Sequence, residues 1–461
     1  MVSPQFEIEY SDEKVTAWGG MRLMKEVLER SGMSAMLGAL ALPEPGSNRG
    51  YLPGLVVESY LVNIWMGCYR MSHTEVLRHD DTLKALFGWK QTPSGTSYGR
   101  FFNKFSQARN QAVFPALQQR FMETIPLKKM TLDVDSSVIV RYGAQQGVTR
   151  GYNPGKPGRG SHHPLLAFVA EARMVANAWM RPGNTGASSS AEHFLAETFG
   201  ILGRDRIGLV RADSGFCSEK MMRYFEQNEV PFIIAARFHA GLKAKVRSAR
   251  WFKLKDGVEV CETRHAFSAK GKERRLILMR KDIGTLPRCT GRQLEIWEDE
   301  AVDSRYRYSA YYTSLELPAS AIWCLYRDRG DAENRIKELK YDFGIEGFHL
   351  KNFWGTEAAF RFAIVAYNLM SLFRQLVLQS SNQPTLATLR VKCFALGAWI
   401  SSHARKRTLK IALSPKKRPW LDGLFSKTDS LSTTSLSLLR EVDSKEDNLP
   451  SSWCFRCQAA T

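Results

Sequence analysis

The chain has 461 residues, 44% of them hydrophobic, and a formal net charge of +19. Its length exceeds what one core usually supports, and its apolar content excludes a disordered chain, so two or more globular domains are expected. The positive charge calls for a polyanionic partner, most economically nucleic acid. A membrane protein is disfavoured, because no uninterrupted run of about 20 apolar residues occurs and Glu7, Glu9, Asp12 and Glu13 stand where a leader would be basic and then apolar. The expected location is therefore the cytoplasm. The eight cysteines are scattered, as suits reduced thiols, and Cys454-x-x-Cys457 alone is weak evidence for zinc.

Residues 1–125 are helical in pattern, with breaks at Pro43 to Gly50 and Thr92 to Gly99. A helix from Tyr98 to Gln107, carrying Arg100 and Lys104, could enter a DNA groove or serve packing or dimerisation. Alternation, β-branched content and Gly/Pro breaks then predict strands at 130–141, 164–171 and 173–181, a helix at 189–200, a strand at 207–212, a helix at 218–228 and a strand at 230–236. Three strands followed by alternating helix and strand is the order of an RNase H-like sheet. Between the first two strands, Lys156-Pro-Gly-Arg159-Gly and His162-His163 predict a flexible basic loop near a DNA path, with no metal role.

Residues 237–316 are too many for a connection, since structureless loops beyond about 12–15 residues are uncommon in compact domains. They predict a β-rich insertion domain with strands at Gly257 to His265, Arg274 to Arg280 and Arg305 to Leu315. Clustered Lys and Arg are interleaved there with Trp251 and Trp297, which suits phosphate contacts and base stacking, or equally a solvated surface over core tryptophans. Residues 317–423 return to the core. They include a long helix from Thr356 to Leu378 and short basic runs at Ala404 to Arg407 and Lys416 to Trp420. The Ser/Thr-rich stretch 424–461 has too little apolar content for a core and is expected to be mobile.

Acids embedded in apolar strands are costly without compensation, which singles out Asp133 and Asp135 in Met130 to Val140. Alternation puts both on one face and cannot choose between them. Asp213 follows the strand 207–212 and precedes a Gly turn, where it is either a turn-capping residue or part of a site built at strand ends. Farther on, Tyr326, Arg329, Glu333 and Lys340 fall within roughly 60° of one another on a continuous helix, beside an apolar face of Leu325, Ala332, Ile336, Leu339 and Phe343. A carboxylate between cations on the rim of a helix suits metal and phosphate binding, although Arg329 and Glu333 also fit an ordinary i,i+4 pair.

Tyr326-x2-Arg329-x3-Glu333-x6-Lys340 resembles the signature of the insertion-sequence-four-like group of DDE transposases, of the thirteen-eighty type, with similarity from roughly residue 15 to residue 420. The resemblance implies that Glu333 is the third catalytic acid and that Tyr326, Arg329 and Lys340 contact the DNA end. It favours Asp135 over Asp133 as the first acid, because Ser136 and Ser137 follow it, and it makes Asp213 of Asp-Ser-Gly-Phe the second. The expected fold is α/β: an RNase H-like core, a mixed sheet flanked by helices, interrupted by the β-rich insertion and preceded by the helical region.

The expected activity is cleavage at transposon ends and strand transfer into target DNA. Two Mg²⁺ or Mn²⁺ ions would be held by Asp135, Asp213 and Glu333, with Lys156, Arg159, Trp251 and Trp297 as further DNA contacts. The expected partners are terminal inverted repeats and target double-stranded DNA, bound by a homodimer in a bacterial, nucleoid-associated setting. An RNase H-like nuclease without strand transfer would share the acids. A non-catalytic, transposase-derived DNA-binding protein need not retain them.

Overall fold

A computed structural model describes residues 7–254, 257–267, 271–284, 305–380, 383–404 and 406–431. Trp297, Arg405, the Cys454-x-x-Cys457 pair and most of the expected mobile stretch lie outside the described residues. The described residues divide into two compact units, one within 7–109, 338–350 and 354–431, the other within 110–337 and 351–353.

In the first unit, β1 (Val15–Thr16) joins a hairpin of Ala398–His403 and Lys406–Ile411. Six helices follow: α1 (Arg22–Arg30), α2 (Met33–Ala39), α3 (Pro53–Met66), α4 (Glu75–Arg78), α5 (Asp81–Phe87) and α6 (Gly95–Phe102). The helix expected over Tyr98 to Gln107 stops at Phe102, and a new one, α7 (Gln107–Glu123), leads into the second unit. Tyr98, Phe101, Phe102 and Phe105 are all buried, so packing dictates this bend. The long helix is present as Phe353–Leu372, continued by π-helical turns over Phe373–Leu378. A final helix runs over Arg418–Asp429 and buries Leu421 and Leu424, so order persists past the expected boundary at 424.

The second unit holds the sheet. Its strands are β2 (Met130–Ser136), β6 (Leu165–Val169), β7 (Met174–Trp179), β8 (Ile207–Ala212), β9 (Phe232–Ala235), β10 (Phe252–Lys253), β11 (Val258–Ala266), β12 (Glu273–Asp282) and β13 (Tyr306–Thr313). They form one nine-stranded sheet ordered β10-β11-β12-β13-β9-β8-β2-β6-β7. Antiparallel pairing joins β2 to β6 and β6 to β7, whereas β8 and β9 run parallel to β2. The helices α8 (Ala191–Leu202) and α9 (Glu219–Gln227) make the crossovers that parallel strands need. Ser218 caps α9 by accepting from Met221 N at 3.2 Å.

Three expectations for the second unit change. The strands of residues 237–316 are present, but they extend the main sheet, because β13 pairs antiparallel with β9. One apolar cluster spans the join, with Leu209, Ile233, Val260, Ile277, Tyr311 and Leu325 in common. Pairing covers an edge that β9 would otherwise expose. The strand expected over 130–141 ends at Ser136, and the chain leaves the sheet to form a second, three-stranded sheet from β3 (Ile139–Val140), β4 (Thr149–Arg150) and β5 (Gly160–His162). His162 and His163 therefore sit at the root of a folded excursion and are 0% and 4% exposed, where a flexible loop was expected.

Candidate active site

Parallel register places Asp133 opposite Arg211 and Val134 opposite Ala212, so the ends of β2 and β8 carry Asp135 and Asp213 side by side. The next contribution comes from α11 (Ala319–Arg327) and α12 (Gly330–Tyr341). The single helix expected from Tyr326 to Lys340 is broken at Asp328-Arg329. There the bonds Arg329 N to Tyr326 O, Asp331 N to Asp328 O and Ala332 N to Arg329 O all tighten to i→i−3. Gly330, a poor helix former, opens the second segment. Leu325, Ala332, Ile336, Leu339 and Phe343 are buried as expected, but so is Arg329, which was expected at the rim.

The break turns Arg329 inward. Its Nη2 lies 2.8 Å from Asp135 Oδ2 and its Nη1 3.4 Å from Glu333 Oε1, so one guanidinium bridges the strand acid and the helix acid. Its Nε is buried without a hydrogen-bond partner among the described residues. Glu333 remains exposed. Burial pushes the Asp135 carboxyl up to about 6; Arg329 opposes the shift, while Asp213 and then Glu333 add to it. Burial would depress the Arg329 guanidinium, but Asp135, Tyr326 and Asp213 together hold it above its ordinary value. Among the described residues, no three His, Cys, Asp or Glu side chains converge closely enough to form a ready-made metal site.

Asp133 has a different situation. Arg211 Nε and Nη2 donate to its two oxygens at 2.6 and 2.8 Å, and both side chains are almost fully buried. Arg211 also donates to the Leu325 carbonyl, tying α11 to the sheet. Asp213 does fill the capping role: its Oδ1 accepts from Gly215 N at 3.0 Å. A Cβ on Gly215 would stand 2.9 Å from Ala187 Cβ and 3.0 Å from Asp213 Oδ1, so the turn needs glycine. The Tyr326 hydroxyl donates to the Ala212 carbonyl at 3.4 Å, and its ring packs on Tyr311 at 4.5 Å. Lys340 pairs with Glu346 at 3.2 Å.

Sequence reasoning passed over Arg181 and read His163 only as part of a flexible loop. The Thr185 carbonyl can only accept, so the 2.6 Å contact puts the proton on His163 Nδ1. His163 Nε2 then accepts from the Ser136 hydroxyl at 3.1 Å. Burial lowers the imidazole pKa, which keeps it neutral. Ser136 N in turn donates to Asp135 Oδ1 at 2.8 Å. Arg181 Nε donates to the His163 carbonyl at 2.9 Å, and its Nη1 donates to Ser189 O at 2.7 Å, which ties down the loop beside Gly215. No local pattern announces these partners, which come from separate strands and loops.

The other expected contacts are spread over the second unit. Lys156 and Arg159 are exposed on the excursion. Trp251 is half-buried, edge-on to Tyr308 at 6.0 Å, with the Arg280 guanidinium 4.5 Å over its ring. The basic residues Lys243, Lys245 and Arg247 lie on α10 (Ala240–Arg247). No described helix is long and apolar enough to cross a membrane.

No curated protein matches the chain. A solved structure described as a cryo-EM structure of a piggyBac transposase synaptic complex with hairpin DNA is similar at 10% sequence identity and a TM-score of 0.45, covering 92% of this chain and 82% of that one. The model of a family described as transposase DDE domain group 1 matches residues 2–433. That match takes in both strand-end acids and the helix acid, and the chain belongs to this DDE transposase family.

Proposed function

We propose that the chain cuts DNA at the ends of its own element and joins the freed 3′ hydroxyl to target DNA, with Asp135, Asp213 and Glu333 as the catalytic acids. The observation that carries this reading is the Arg329 guanidinium that joins Asp135 to Glu333, with Asp213 at the end of the neighbouring parallel strand. Asp213 and Glu333 both act electrostatically on Asp135, while a single guanidinium, that of Arg329, bridges Asp135 and Glu333. The order β9-β8-β2-β6-β7, with antiparallel β2-β6-β7 and parallel β8 and β9, supports an RNase H-like core. The Tyr326, Arg329, Glu333 and Lys340 spacing supports an insertion-sequence transposase of the thirteen-eighty type.

The donor set suits hard divalent cations such as Mg²⁺ or Mn²⁺, being all carboxylate oxygen with negative charge in excess. When bound, such ions would lower the pKa of the attacking water or hydroxyl and stabilise the leaving 3′ oxygen. The protein's part is positional. Asp135 and Asp213 are fixed by strand register and by backbone N–H donors, whereas the exposed Glu333 can move onto the ions. Arg329 pairs with Asp135 and can turn to a DNA phosphate, where the fork geometry of a guanidinium fits. Lys340, Lys156, Arg159 and Trp251, with Trp297, are further DNA contacts in this reading, and a homodimer pairs two ends.

The test is incubation with Mg²⁺ and DNA carrying the sequences that flank its gene. Cleavage at the ends followed by joining is expected. Hydrolysis without joining would mean a nuclease, and binding without cleavage a DNA-binding protein.

A further inference from the structure

The excursion between β2 and β6 holds Arg141, Arg150, Lys156 and Arg159 and no carboxylate from Ser137 to Pro164. It starts one residue after Ser136 and returns where Leu165 pairs with Ser136, so its root adjoins Asp135. Its outer part closes in a tight turn. Arg159 N donates to Lys156 O at 3.2 Å around Pro157 and Gly158, and Gly158 has φ +77°. Proline followed by a residue of positive φ defines a type II turn, with Lys156 and Arg159 at its two corners. The buried Asn153 anchors the turn by accepting from Lys156 N at 3.0 Å.

Both cations lie over one ring. Lys156 Nζ is 5.0 Å and the Arg159 guanidinium 5.7 Å from the centre of Tyr142, and Lys156 also contacts the Tyr142 hydroxyl. Yet Tyr142 remains 70% exposed and Tyr152, on the same excursion, 73% exposed. Large aromatic rings left open beside arginine and lysine, with no acid pairing Lys156 or Arg159 among the described residues, suit a strand that offers both phosphates and unstacked bases.

We propose that this excursion is a binding platform for unpaired DNA beside the catalytic acids: Lys156 and Arg159 hold phosphate, while Tyr142 and Tyr152 stack bases. The proposal rests on the transposase reading and deepens it by naming the DNA form that this face takes. Duplex DNA stacks its base faces on one another and leaves none along its length for a side-chain ring, so the rings separate the two forms.

The experiment measures binding of the full chain, without metal, to a blunt duplex and to the same duplex with a short unpaired tail. Tyr152→Ala and Tyr142→Ala should each weaken tailed DNA by about 5- to 150-fold and leave the blunt duplex within about twofold. Lys156→Ala and Arg159→Ala should each reduce the salt slope of log K by about 0.7 on the tail, if each neutralises one phosphate. Gly158→Ala should mimic them through its positive φ, and Gly158→Asn, which tolerates that conformation, should restore much of the loss. Wild-type binding of tailed DNA by both tyrosine variants, or equal losses on both DNAs, overturns the platform but not the transposase reading. Failure of the wild-type chain to bind either DNA overturns both.

Discussion

The middle of the β2–β8 pair and the ends of the same strands use one residue type in two ways. In the middle, Asp133 meets Arg211 with two short hydrogen bonds, and the charges match one to one. At the ends and on α12, Arg329 is the cation between Asp135 and Glu333, and Asp213 adds its negative charge to the surroundings of Asp135. A matched buried pair ties elements together and has no charge left for anything else. Acids in excess of their cation repel one another, and in the proposed function that excess is what a metal ion would neutralise.

The sharpest way to break this comparison is to remove the acids one at a time. Asp135→Asn, Asp213→Asn and Glu333→Gln should each lower cleavage about a thousandfold or more, since each removes several kcal/mol of metal-borne stabilisation. DNA binding should stay within a few-fold by a filter or fluorescence assay. Retained cleavage in any one variant removes that residue from the site. Asp133→Asn should instead unfold the protein more easily, by about 3–5 kcal/mol in denaturant titration, because Arg211 is left buried and unpaired. The double replacement Asp133→Leu with Arg211→Met should recover most of that stability; if it does not, the pair has a role besides packing.

The pH response sharpens the same contrast. Asp135 is held above its ordinary carboxyl value, at about 6, by burial and by the neighbouring acids. Its contribution to stability is therefore fully present below the unfolded value near 3.8 and is lost as pH rises through about 6. Cation binding needs the ionised form, so calorimetric Mg²⁺ affinity should fall about tenfold per pH unit below 6. A flat profile from pH 5 to 7 would remove Asp135 from the ligands. The smallest expected effect is His163→Gln, which should weaken Mg²⁺ affinity about tenfold by loosening Ser136 beside Asp135, with little change in thermal midpoint.

Much of this was legible because local signals agreed with the fold. Strand 207–212 is found where its alternation and flanking breaks put it, and the apolar face of Leu325, Ala332, Ile336, Leu339 and Phe343 is buried. Arg211 inside an apolar strand was a usable sign that Asp133 had a partner, since a buried cation needs one. The helix break at Asp328-Arg329 was less visible: helical spacing predicts a rim position for Arg329, and only tertiary demand from Asp135 explains its burial. The His163, Ser136 and Arg181 arrangement rests on contacts between separate segments, and so does the addition of β10–β13 to the sheet, so neither had a local pattern to betray it.

The most direct measurement is an anomalous-scattering map of crystals grown with Mn²⁺. The account predicts manganese bound to oxygens of Asp135, Asp213 and Glu333, with Arg329 displaced from Asp135. Manganese elsewhere, or none with the Arg329–Asp135 pair intact at saturating ion, would contradict it.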